Sequence, residues 1–189
     1  MKKILLLSGL LVLSACSATG TETKAAAENA IPSTVDMSAM TNEQAAEQLY
    51  ASLINANYLV TKVGPTRVAV QLGDHQFVLQ PSMNVEGIDC ILANRFYAVH
   101  PKLQGSKELL VMIGQLNQKL NFAKFFIREN GAVIQVQSSA TFVNVMSLEE
   151  IRRFLLWTDE GLRQVGTSMP EGTEKLIKAI PVMQHPQGV

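Results

Sequence analysis

Cysteine is scarce in this chain of 189 residues: there are two, Cys16 and Cys90. Two thiols cannot staple a disulfide scaffold, and the three histidines, His75, His100 and His185, share no metal-ligand spacing. Charge of one sign is missing as well. Sixteen basic residues balance sixteen acidic ones, which leaves no electrostatic footprint for a nucleic-acid partner. The nucleophile-elbow pattern G-x-S-x-G, the Walker A loop and the dinucleotide-binding glycine pattern are all absent. These gaps argue against an enzyme, a metalloprotein and a nucleic-acid binder. What remains is a chain with 47% hydrophobic residues, enough for a real core, and a length that suits one domain.

The first sixteen residues, MKKILLLSGLLVLSAC, carry an address. Lys2 and Lys3 give a positive start, and Ile4 to Leu13 form an apolar-rich run of ten residues. As a helix that run spans about 15 Å, half of a bilayer's ~30 Å core, which suits a secretory leader and not a permanent span. Leu13-Ser14-Ala15-Cys16 resembles the lipobox of bacterial lipoproteins. The resemblance implies cleavage after Ala15, a thioether-linked diacylglycerol on Cys16 and acylation of the new amine. One acyl chain binds a bilayer marginally, and two or more anchor stably, at ~0.8 kcal/mol per buried methylene. Without Lys2 and Lys3 the chain carries 14 basic and 16 acidic side chains, a balance of −2, so the lipid alone would hold it. Ser17 in place of Asp after the cysteine implies outer-membrane delivery, facing the periplasm.

Four regions follow: a signal peptide 1–15, a lipidated flexible tether 16–40 rich in Ala, Ser and Thr, a folded domain 41–166 and a proline-bearing tail 167–189. Thr41 and Gln44 have capping-box spacing and predict a first helix with Ala45, Leu49, Leu53 and Ala56 as its inner stripe. Strands are predicted over 66–72, then over 75–80 after the Gly73-Asp74 turn, with Pro81 as a stop, and over 88–99, with 58–63 before them as a short strand-like segment outside that count. Ser106 caps a second helix, 107–120, built on Leu109, Ile113, Leu116 and Leu120 and widened by Leu110, Val111 and Met112. Asn117 beside that stripe needs a hydrogen-bond partner if buried. Strands 122–128 and 132–140 flank the Asn130-Gly131 turn. Ser147 and Glu150 then open a third helix, lined by Ile151, Leu155, Leu162 and Val165 and ending at Gly166. The tail has room for one short helix over 171–179. The expected fold is α+β: an antiparallel five-stranded sheet with helices packed on one face, in the order α-βββ-α-ββ-α.

Three blocks resemble the YbjN-like domain family, a bacterial family related in fold to the type III secretion chaperones. They are GIDCILANRFYAVHP, LNQKLNFAKFFIRENGAVIQVQSS and MSLEEIRRFLLW. Asn117, Phe122 and Gly131 occupy the family's asparagine, strand-opening and turn places. The resemblance covers residues 41–166, about two thirds of the chain; the lipobox start and the proline-bearing tail lie outside it. It implies a sensory or regulatory module without established enzymatic activity. Its chaperone relatives dimerise and bind extended segments of partner proteins, a property of fold relatives only.

The residues themselves offer little chemistry. Cys90, in a strand, reads as a buried structural thiol, with an intermolecular disulfide as the competitor in an oxidising compartment. Glu149-Glu150 and Asp159-Glu160 read as a helix start and a solvated face, because adjacent helical residues point about 100° apart. No cofactor and no metal are expected. The sheet is more informative. Phe125-Phe126 and Phe96-Tyr97 are adjacent aromatic pairs in strands, whose members point to opposite faces. Phe96, Tyr97 and Phe126 are therefore the candidate interaction surface, unless the carboxy-terminal segment covers it. Two functions follow. One is a membrane-anchored, protein-binding or chaperone-like envelope module with a protein partner or homodimer. The alternative is a small-ligand-binding or enzymatic lipoprotein with a pocket between helices and sheet.

Overall fold

A computed structural model describes residues 33–84 and 88–183. The leader 1–15, the lipidation site Cys16 and the tether as far as residue 32 lie outside the described residues, as do 85–87 and 184–189.

The chain enters as β1 (Thr34–Asp36), with Val35 and Met37 fully buried, so residues 34–37 are not tether. One apolar residue in a three-residue strand, with Met37 just beyond it, is too little to show a period in sequence. Next comes α1 (Asn42–Asn55), opened by the predicted box: Thr41 Oγ1 accepts from the Gln44 N–H, and Gln44 Oε1 accepts from the Thr41 N–H at 2.9 Å. Ala45, Leu49 and Leu53 are its buried stripe. Strands β2 (Val60–Gly64), β3 (Arg67–Leu72) and β4 (His75–Ser82) form a meander. Leu72 pairs with His75 across Gly73-Asp74, where Gly73 takes φ +57° as the tight turn requires. Pro81 does not end β4 but pairs with Ile91. The β3–β4 ladder ends at the Val68–Leu79 pair, so the missing proline N–H falls beyond it.

Strand β5 (Asp89–Val99) leads to α2 (Lys107–Lys119), where Ser106 Oγ accepts from the Leu109 N–H at 3.1 Å. Leu109 and Ile113 are buried, while Leu110 and Val111 face solvent and do not widen the inner stripe. Strand β6 (Lys124–Arg128) and β7 (Val133–Phe142) flank a tight turn in which Asn130 has φ +53° and Gly131 φ +100°. A Cβ on Gly131 would lie 3.0 Å from the Gly105 nitrogen, so this turn also admits the loop before α2. A three-residue strand, β8 (Val145–Ser147), pairs with β1. Helix α3 (Leu148–Ser168) starts at the second predicted box, Ser147 with Glu150. It runs through Gly166 and stops at Met169-Pro170, because the residue before a proline is pushed out of helical backbone. The tail forms one helical turn, α4 (Thr173–Leu176), and then strand β9 (Ile177–Ala179), so the short helix ends earlier than expected.

The architecture is α+β with antiparallel pairing, as expected, but the sheet has seven strands, not five, beside a two-stranded ribbon. Its order is β2-β3-β4-β5-β7-β6, with β9 added to β5 at Tyr97–Val99. The strands that sequence reading missed are three residues long and are defined by distant partners. Register assigns the faces. Val70, Phe77, Leu79, Ile91, Ala93, Ile134, Val136 and Phe125 share the helix side and meet Leu49, Leu53, Ile151 and Leu155 in one core. Among the described residues no helix is long and apolar enough to cross a membrane.

Candidate functional site

The same strands that fill the core present a second face away from the helices. Alternation along β5 sends Ile91, Ala93, Arg95 and Tyr97 inward and Cys90, Leu92, Asn94 and Phe96 outward. Pairing of β5 with β7, and of β7 with β6, then sets Phe96, Gln135 and Phe126 in one row across three strands. The next row holds Asn94, Gln137 and Lys124. Both phenylalanine rings are half-buried, and Ser139 and Thr141 farther along β7 are exposed.

Hydrogen bonds tie the two rows together. Asn94, 3% exposed, accepts at Oδ1 from Gln135 Nε2 at 2.7 Å and from Gln137 Nε2 at 3.0 Å. Arg128 Nε donates to Gln135 Oε1 at 2.9 Å, and its guanidinium lies 5.1 Å from the centre of the Phe126 ring. A polar strip with fixed amide orientations thus runs between two rings. Such a strip can exchange hydrogen bonds with a partner's main chain while the rings give apolar area.

Tyr97 is not part of this surface. Its side chain turns to the helix side, where Arg95 lies 5.4 Å from its ring centre. Burial pushes the Tyr97 phenol above its ordinary pKa; Arg95 opposes the rise and Asp159 adds to it. Asp159 of α3 lies 3.7 Å from Arg95 and forms a close pair with His75 Nδ1. Of the three predicted surface residues, Phe96 and Phe126 are brought together and Tyr97 is sent elsewhere by simple alternation. Cys90 is half-buried on the outer face beside Thr141, not sealed in the core. Among the described residues, no three or more His, Cys, Asp or Glu side chains gather as a metal site.

The carboxy-terminal segment reaches one end of the row. The Ile180 N–H donates to the Phe96 carbonyl at 2.8 Å, and the Val182 and Met183 N–H groups donate to Gln76 Oε1 at 2.9 and 3.0 Å. By register Gln76 lies on the β4 side of Phe96. Phe126 is three strand spacings away, about 14 Å. The tail thus fixes the Phe96 end.

Sequence reading missed the amide network, although Asn94, Gln135 and Gln137 were visible as polar residues inside strands. It did anticipate that Asn117 must find a partner. From α2, Asn117 Oδ1 accepts the Phe125 N–H and Asn117 Nδ2 donates to the Phe125 carbonyl, both at 2.8 Å. One side chain thereby takes the place of a further strand on the outer edge of β6.

The site therefore belongs to an antiparallel sheet covered by helices on one face and lined by amides and aromatics on the other. Among solved structures, YbjN from E. coli, described as a proposed transcription regulator, has this fold. It matches with a TM-score of 0.51 at 15% identity, over 70% of this chain and 94% of that one. No family model matches the chain, and no curated protein matches its sequence. The likeness shows a YbjN-like fold.

Proposed function

We propose that this protein is a non-enzymatic, membrane-anchored lipoprotein of the bacterial cell envelope, facing the periplasm from the outer membrane. Its folded body docks a protein partner, or a second copy of itself, on the outer face of β5, β7 and β6. The observation that carries the docking reading is the Phe96–Gln135–Phe126 row, backed by the Asn94 network. Two rings on a rigid sheet supply apolar area at little entropic cost, because their backbone is already fixed. Lys124 and Arg128 add a basic border, so binding to an acidic partner weakens with salt. The anchoring half rests on Leu13-Ser14-Ala15-Cys16 and the short apolar leader before it. The regulatory description of YbjN belongs to that protein. Here it enters as the proposal that a lipid-held module acts through a bound protein and not through DNA.

Two experiments test the reading. Intact mass of the processed chain is expected to show loss of residues 1–15 and a diacylglyceryl group on Cys16. An unmodified chain, or a Cys16→Ala variant still in the membrane fraction, contradicts the anchor. Affinity capture from the envelope fraction compares the native chain with a Phe96→Ser/Phe126→Ser variant. A polypeptide, or a second copy, lost at least tenfold while thermal unfolding stays within a few degrees supports the docking face. Equal recovery by both proteins contradicts it.

A further inference from the structure

A cavity lies on the opposite side of the sheet from the docking face. Helices α2 and α3, the tail from Met169 to Ile177 and strands β5, β7 and β6 enclose a space of about 390 Å³. Its walls include Ile113 and Leu116 of α2, Leu162 and Val165 of α3, and Phe125 and Val136 of the sheet. Met112 and Met169 border both this space and a groove of about 980 Å³ between the two helices, which connects it to solvent. The polar side chains on the wall are Tyr97 of β5 and Glu171, Thr173 and Glu174 of the tail, and the rest of the lining is apolar.

We infer that the α2–α3 cavity is a binding site for one hydrocarbon chain of a single-chain lipid. Volume and wall chemistry agree on that occupant. An apolar cavity of about 150 Å³ holds benzene and excludes water, so at the same scale 390 Å³ takes about fifteen carbons. The space lies beneath the helices, where a docking peptide would insert only a side chain, whereas an alkyl chain fills it. Met112 and Met169 at the mouth are flexible thioethers suited to an adaptable entrance. The groove carries Lys107 and Lys119 beside Glu108, so charges of both signs meet the headgroup and the tail sets recognition. The inference is independent of the outer-face reading.

The test uses the full chain and a neutral monoacylglycerol bearing a mid-chain diazirine, with the sites of photolabelling mapped by peptide mass spectrometry. Saturable labelling on α2 and α3, cut at least tenfold by unlabelled monoacylglycerol and by Val165→Trp, is the expected result. A competition series of alkyl glycerol ethers serves even if Val165→Trp fails to fold. Affinity is expected to rise about fourfold per methylene and to level off near fifteen carbons. Labelling that avoids α2 and α3, labelling unchanged in a folded Val165→Trp, or no chain-length plateau overturns the inference. Labelling confined to the surface around Phe126 overturns it while leaving the docking proposal standing.

Discussion

The two faces of the central sheet are built from the same strands and differ in what their alternate residues are asked to do. On the helix side Phe77, Leu79, Ile91, Ile151 and Leu155 are sealed and apolar, and the buried hydroxyls of Thr158 and Ser138 pair with each other at 3.2 Å. On the outer side the amides of Asn94, Gln135 and Gln137 hold one another in place, and two rings remain half-open. Burial of carbon stabilises the first face. The second spends little on stability and keeps its shape through hydrogen bonds, as expected of a surface that must meet a partner without rearranging.

The largest expected effect separates the faces by stability. Phe77→Ala removes a fully buried ring and is predicted to cost about 3–5 kcal/mol in urea unfolding. Phe126→Ala, half-buried, should cost about 1 kcal/mol. Equal costs would break the comparison. Next comes Asn117→Ala, which strips both partners from the Phe125 main chain and should cost about 2 kcal/mol, with faster amide exchange at Phe125. Gly161→Ala sharpens the helix side. A Cβ there would sit 2.7 Å from the Phe122 ring, so α3 or the ring must shift, at about 1–2 kcal/mol in the same unfolding assay.

The smallest effect concerns pH at the start of α3. Hydrogen bonds from Arg152 and Arg153 lower the Glu149 carboxyl to about 2, and hydrogen bonds from Ser147 lower Glu150. A carboxyl depressed in the folded state stabilises it above the unfolded value of 4.5, and that contribution fades as pH falls toward 2. Both groups are exposed, so the loss is slight. The melting temperature of native protein should exceed that of Glu149→Gln at pH 6 and converge with it near pH 2.

What could be read from sequence was what is local. The boxes at Thr41 and Ser147, the Ser106 cap and the Gly73-Asp74 turn each satisfy backbone within a few residues, and all four are present. The pointing of Phe125 and Phe126 to opposite faces followed from alternation alone. Strands β1, β8 and β9 were not legible, because three residues show no period and each owes its strand to a partner far along the chain. Sequence alone leaves Tyr97 beside Phe96 on the candidate surface, because only pairing of β5 with β7 tells which neighbour faces the helices. The amide network depends on three residues meeting across two strands, which no spacing in the chain displays.

The most direct measurement places a photoreactive amino acid at Phe126 and, separately, at Tyr97 in living cells. The outer-face account predicts a discrete protein adduct from Phe126 and none from Tyr97. Protein adducts from Tyr97 as abundant as those from Phe126, or none from Phe126, would contradict it.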